Sequence, residues 1–174
     1  HQNNPYPGHD GSDQNIFIFF SEPILTTGIR FCPAGYSTHA SARMALLMSK
    51  EVKANELKDI SNNIFDPPYT HNSSNAVQTG ITLGSNTETK GKLEEMAHNC
   101  GWVPTNSSGT PLTNLTNNTE YWYQIDISSN GTDKRMVKGI VTKGKRNGNA
   151  SYIVTQLKLQ YSNDGDHWYW VDGG

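Results

Sequence analysis

An all-β, antiparallel fold is the class this sequence predicts, and three observations predict it. Asn, Ser, Thr and Gly are abundant, strong helix formers are sparse, and charged residues make up only 17% of the 174. Short strands joined by polar turns suit that composition. In Leu157-Lys-Leu-Gln-Tyr-Ser162, the apolar Leu157, Leu159 and Tyr161 alternate with Lys158, Gln160 and Ser162, the period of a strand with one face buried. Asn163-Asp164-Gly165 then supplies residues tolerant of positive φ, and Trp168, Trp170 and Val171 resume the apolar spacing. This spells a β-hairpin with an aromatic return strand.

The totals bound the rest. A chain of 174 residues is long enough for one domain with a proper core. A net charge of −2, with no basic run longer than Lys143 to Arg146, makes no electrostatic case for nucleic acid. No stretch approaches the roughly 18 apolar residues of a membrane-spanning helix. The first residue is His1, with neither Met nor signal peptide, which reads as a processed or excised chain. Gly-x-Ser-x-Gly, His-Glu-x-x-His, Cys-x-x-Cys and phosphate-cradling glycine loops are all missing. Glu94 and Glu95 are adjacent in sequence, whereas catalytic carboxylate pairs converge in space. The chain therefore reads as a non-enzyme.

Taken in order, residues 1–15 are Pro- and Gly-rich and polar, a loop or tail. His1, His9, Asp10 and Asp13 in that stretch match no metal-ligand spacing and read as a solvated segment. Ile16-Phe-Ile-Phe-Phe20 is a strand, Ser21-Glu-Pro-Ile24 turns the chain, and Gly28-Ile-Arg-Phe-Cys-Pro33 is a second strand. In His39 to Leu47, Ala40, Ala42, Met44 and Leu46 share one face, and Ser41, Arg43 and Ala45 the other. Glu51 to Ile60 has the makings of a short helix, with three well-spaced apolar positions. Residues 66–75 are loop, Thr79-Gly-Ile-Thr-Leu83 a strand, and residues 105–119 an exposed Asn/Thr/Ser-rich connection. Tyr121-Trp-Tyr-Gln-Ile-Asp-Ile127 is a strand whose Trp122, Ile125 and Ile127 are expected in the core, and a further strand starts at Val137.

Two cysteines, Cys32 and Cys100, allow two readings: buried free thiols or a disulfide. Six Asn-x-Ser/Thr sequons, at Asn72, Asn106, Asn114, Asn117, Asn130 and Asn149, lean towards a secreted glycoprotein and hence towards the disulfide.

The chain closely resembles the discoidin domain, the coagulation-factor type C domain. Val137-Lys-Gly-Ile-Val-Thr-Lys-Gly-Lys145, then Leu157-Lys-Leu-Gln-Tyr-Ser-Asn-Asp-Gly165 and Trp168, follow that family's strand–loop–strand–turn pattern. Lys143 and Lys145 stand where the family has Gln and Arg, and Ile153 where it often has Trp. Tyr121 to Ile127 matches Glu-Trp-Leu-Gln-Val-Asp-Leu, Lys92-Leu93 an Arg-Leu pair, and Cys100-Gly-Trp-Val-Pro104 a Gly-Trp-Cys-Pro. Ser21-Glu-Pro-Ile24, Ile29-Arg-Phe-Cys-Pro33 and His39-Ala-Ser-Ala-Arg-Met-Ala-Leu-Leu47 resemble the segments that close the family's domain. The family's closing half thus comes first, at 1–47, and its opening half last, at 81–174, with 48–80 joining them. A circular permutant and an excision across a tandem array give the same polypeptide. The Cys pair that often joins the family's terminal strands has no counterpart near Met48.

The resemblance implies an eight-stranded antiparallel jelly-roll barrel of galactose-binding-like type, in permuted order, with its binding face on the loops at one end. Those loops are 34–39, 84–91 and 144–152. They and their neighbours supply the candidate ligand-binding residues Tyr36, His39, Arg43, Asn86, Lys92, Lys143, Lys145, Arg146, Asn147 and Tyr152. Arg43 and Lys92 match positions that point basic groups between the loops in related domains. Arg and Asn side chains donate hydrogen bonds to hydroxyls, carboxylates or sulfates, and Tyr36 or Tyr152 could stack on a pyranose ring. Residues 145–151 lack the large apolar tip of lipid-binding relatives, so membrane insertion is disfavoured and only weak adsorption to anionic surfaces is expected. Asn149, a sequon on that loop, would obstruct the face if glycosylated. Some carbohydrate-binding relatives hold a structural calcium; no Asp-rich loop of suitable density is present, and no cofactor is expected. The expected function is a secreted, lectin-like adhesion module that binds a glycan or an extracellular glycoprotein. The alternative is a matrix module that binds a protein partner.

Overall fold

The computed structural model describes residues 5–9, 14–48, 64–65, 71–73, 101–104, 121–127, 134–144 and 153–173, with backbone alone at 64–65 and 71–73. The expected helix at 51–60 and strand at 79–83 lie outside these residues. The strands are β1 (Tyr6–Pro7), β2 (Ile16–Thr26), β3 (Gly28–Tyr36), β4 (Arg43–Met48), β5 (Ile64–Phe65), β6 (His71–Ser73), β7 (Tyr123–Asp126), β8 (Arg135–Lys143), β9 (Val154–Ser162) and β10 (Tyr169–Trp170). They form two antiparallel sheets. The first runs β1-β9-β3-β7-β6, with β10 on the same edge of β9 as β1; the second runs β2-β8-β4-β5. The described residues hold ten strands, against the eight expected; four of them, β1, β5, β6 and β10, are only two or three residues long and lie at the sheet edges.

Alternation builds the sandwich. Ile29 and Phe31 of β3, Leu157 and Leu159 of β9, and Tyr123 and Ile125 of β7 point inward from the first sheet; Ile18, Phe20, Met44, Leu46, Val137 and Ile140 do so from the second. Trp102 lies fully buried between them, 6.4 Å from Phe31 edge-on and 6.0 Å from Tyr123. It is tied to Ala42 by reciprocal backbone hydrogen bonds of 2.8 and 3.1 Å. Burying such aromatics contributes on the order of 2–3 kcal/mol each.

Several expectations change in three dimensions. Within the expected loops 1–15 and 66–75, Tyr6–Pro7 forms β1 and His71–Ser73 forms β6, and His9, expected in a solvated segment, is buried beside β9. Ser21 to Ile24 does not turn the chain: β2 continues through it, with a register shift between Phe19 and Ile24. Pro23 is accommodated because, among the described residues, β2 is an edge strand and the shift relieves the ladder there. Trp122 is not a core residue either. Its neighbour Tyr123 takes the inward position, so Trp122 stands on the outer face of the first sheet, half-buried. Ile125 is buried in the core, and Ile127 packs against its edge.

The turn read from Asn163-Asp164-Gly165 is present. Gly165 has φ +83°, the left-handed region that favours glycine. The Asp164 carboxylate accepts hydrogen bonds from the backbone N–H groups of His167 and Asp166 and meets the His167 ring at 2.8 Å. The His167 backbone and ring bonds are the main reason that this carboxyl sits far below the usual range.

Candidate binding site at one end of the sandwich

Strand registers bring the candidate residues together. β3 ends as Tyr36 pairs with Val154 at the start of β9, while Arg43 at the start of β4 pairs with Lys143 at the end of β8. The connections 37–42 and 144–153 therefore leave the same end of the sandwich. They are stitched by the Ser37 N–H, which donates to the Ile153 carbonyl at 3.1 Å. Register shifts on either side of Gly35 mark an irregular end to β3.

Tyr36 is half-buried against the rim of the core, and His39 and Lys143 are partly exposed. Arg43 departs from its expected role as a surface ligand residue. It is 2% exposed, and its Nε donates to the Gly144 carbonyl at 2.9 Å, while the Thr142 hydroxyl donates to the Arg43 carbonyl at 3.1 Å. Its place beside Lys143 on the outer face of the second sheet, where Ala45, Leu47 and Val141 are also buried, explains the burial. A buried guanidinium needs hydrogen-bond acceptors, and here one of them is the first carbonyl of the loop. Arg43 braces the loop root. Asn86, Lys92, Lys145, Arg146, Asn147 and Tyr152 lie outside the described residues, as do the sequons at Asn106, Asn114, Asn117, Asn130 and Asn149; Asn72 lies in β6.

The expected disulfide is corrected. Cys32 carries a free, buried thiol. It alternates with Phe31, so its side chain leaves the sheet on the face opposite Trp102, towards Gln160, whose Oε1 lies 3.9 Å from Sγ. Burial pushes this thiol up to about 12, against the opposing pull of Arg30 and Lys158. Cys100 lies outside the described residues. Among the described residues, no three His, Cys, Asp or Glu side chains gather where they could hold a metal ion.

Reading the sequence missed a second constellation. On the outer face of the first sheet, the Arg30 guanidinium lies between two indoles, 4.0 Å from the Trp122 ring and 3.7 Å from that of Trp168. Its Nε donates to Gln124 Oε1 at 2.9 Å. Desolvation lowers the Arg30 guanidinium to about 10, with Cys32 and Asp126 pulling the other way. Alternation places Arg30 and Trp122 on one face, but only the fold of the hairpin brings Trp168 over them.

Comparison with known proteins gives one similarity: 22% identity over 171 residues to Neuropilin-1 of Xenopus laevis. The match takes in 94% of this chain and 16% of that protein. No family model matches the chain. No solved structure matches it either.

Proposed function

We propose that this chain is a non-catalytic, extracellular recognition module that binds glycans through the loop end of its sandwich. The observation that carries the reading is the convergence of Tyr36, His39 and Lys143 at one end, over a loop root held by buried Arg43. A half-buried tyrosine offers a face for a sugar ring, and an imidazole and an ammonium beside it offer hydrogen bonds to hydroxyl, carboxylate or sulfate groups. The similarity to Neuropilin-1 supports the broader part, an extracellular binding module, without specifying the ligand. Because the chain spans 16% of that protein, such a module would act as one part of a longer polypeptide.

In this reading, residues 1–174 form a single discoidin-like domain. Residues 1–47 and 81–174 are its closing and opening halves, and strands from both sides of the joining segment alternate within each sheet.

The test is a glycan array probed with enzymatically deglycosylated protein, beside Tyr36→Ala and a triple variant, Lys143→Ala, Lys145→Ala, Arg146→Ala. Arg43 is left intact because it is buried. Binding to a few related sugars, lost in both variants, is the expected result. No binding above background ends the glycan reading and turns the search to a protein partner in the matrix.

A further inference from the structure

Asn72 is the one sequon asparagine among the described residues, and the loop-end reading does not use it. It belongs to β6, which among the described residues is an edge strand of the first sheet. Gln124 of β7 is its cross-strand partner, and Gln124 in turn pairs with Arg30 of β3. Cross-strand partners share a face. Position 72 therefore opens the outer-face row that runs on through Gln124 and Arg30 to Gln160.

Two neighbours on that face suit a sugar. Trp122, two residues before Gln124, is half-buried and stands diagonal to position 72, a separation of roughly 7 Å in antiparallel sheets. Arg30 reaches across from β3 and covers one side of that indole, 4.0 Å from its centre. β6 lies on the other side of β7 from β3. The Gln124 amide accepts from Arg30 and donates to Asp126, and it has a second lone pair and a second hydrogen beyond those bonds.

We propose that Asn72 carries an N-linked glycan whose first N-acetylhexosamine rests on the β6 side of the Trp122 indole, with its polar groups on Gln124. The C–H face of a pyranose stacks on an indole, and acetamido and hydroxyl groups pair with an amide. In the transfer, the Asn72 amide nitrogen loses a proton and bonds to C1 of the sugar. The bond from C1 to the diphosphate of a lipid-linked donor breaks, and the diphosphate leaves with its electron pair. This modification rests on the extracellular reading but not on what the loop end binds. Along β3 the row of position 72 lies roughly 20 Å from Tyr36, so the first sugars leave the loop end open.

The test begins with secretion of the intact chain from a eukaryotic host that adds uniform oligomannose glycans, followed by mass mapping of all six sequons. Asn72 is expected to be occupied. Glycans elsewhere with Asn72 bare overturn the proposal and leave the extracellular reading standing; six bare sequons overturn both. A form with the other five sequons removed is then compared with the same form carrying Asn72→Gln or Ser74→Ala. The glycosylated form is expected to melt about 3 °C above both. Its N-acetyl methyl group is expected to give nuclear Overhauser contacts to the Trp122 indole. In a Trp122→Leu background the melting difference vanishes; if that variant does not fold, the Overhauser contacts decide. A glycan that leaves melting unchanged, shows no contact to Trp122, or keeps its effect in Trp122→Leu overturns the proposal.

Discussion

The two sheets obey one alternation rule and yet present opposite outer faces. On the first sheet, outward positions carry Lys158, Gln160, Arg30, Trp122, Gln124 and Asp126. There a cation between two indoles covers the backbone. On the second sheet, outward Ala45, Leu47 and Val141 of β4 and β8 are buried, with Arg43 beside them, whereas Phe17, Phe19 and Leu25 of β2 and Met136 of β8 are exposed. Two sheets can thus share a core while their reverse sides serve different ends: one is closed by its own side chains, the other leaves an apolar row part-covered. A strand pattern states which residues share a face; it does not state what lies on that face.

The sharpest way to break this contrast is at Gly139, in the row between Leu47 and Phe19. A β-carbon there would stand 2.1 Å from the Ile18 carbonyl oxygen, so the strands must part. Gly139→Val is expected to cost more than about 3 kcal/mol, measured by urea unfolding. Along the same row, Leu47→Ala removes a side chain only 4% exposed and is expected to cost about 3 kcal/mol. On the other sheet, Arg30→Ala empties the space between Trp122 and Trp168 and is expected to cost about 2 kcal/mol. Arg30→Lys should restore only part of that, because an ammonium lacks the planar faces that stack on both rings. A full restoration by lysine in thermal unfolding would show that charge alone matters there.

At the rim the two sheets are joined by Asp172, just after β10, which accepts hydrogen bonds from the Ser21 hydroxyl and backbone N–H of β2 and from the Tyr6 hydroxyl of β1. Burial draws this carboxyl upward, but the three bonds outweigh it and hold its pKa below the ordinary 3.8. The linkage is then present above the unfolded pKa and is lost as pH falls through the lower folded one. Asp172→Asn should therefore lower stability by about 1 kcal/mol at neutral pH and flatten the acid limb of a pH–stability curve below about pH 4. Tyr6 carries the opposite sign. Burial first, then Asp172, raises its pKa, so its contribution is present below the unfolded value of 10.0 and fades as pH rises beyond it. The smallest effect is expected at Phe19. Phe19→Ser should change stability by less than about 0.5 kcal/mol, in contrast with Leu47 in the same row.

Much of the framework was legible in the chain. The hairpin of β9 and β10, the turn at Gly165, and the shared faces of β4 and β9 follow from period-two spacing and turn chemistry. The misreadings share a cause. Trp122 was expected inside because a large aromatic usually is, yet Tyr123 held the inward phase. Arg43 was expected to face a ligand because it matches a position that points a basic group between the loops in related domains, yet the outer face at β4 is buried, and its guanidinium instead meets Gly144. Ser21-Glu-Pro-Ile24 was expected to turn because of its proline, yet an edge strand tolerates proline at a register shift.

By itself, then, the sequence determined the fold class, the longer strands and the shared faces of β4 and β9, because those follow from local backbone geometry and the burial of apolar groups. Only the tertiary structure decided which outward faces are covered, that the Cys32 thiol lies on the face of the first sheet opposite Trp102, that Arg30 sits between two tryptophans, and that Tyr36, His39 and Lys143 lie at one end. Most of those depend on pairings between residues more than ninety positions apart, which no local pattern encodes.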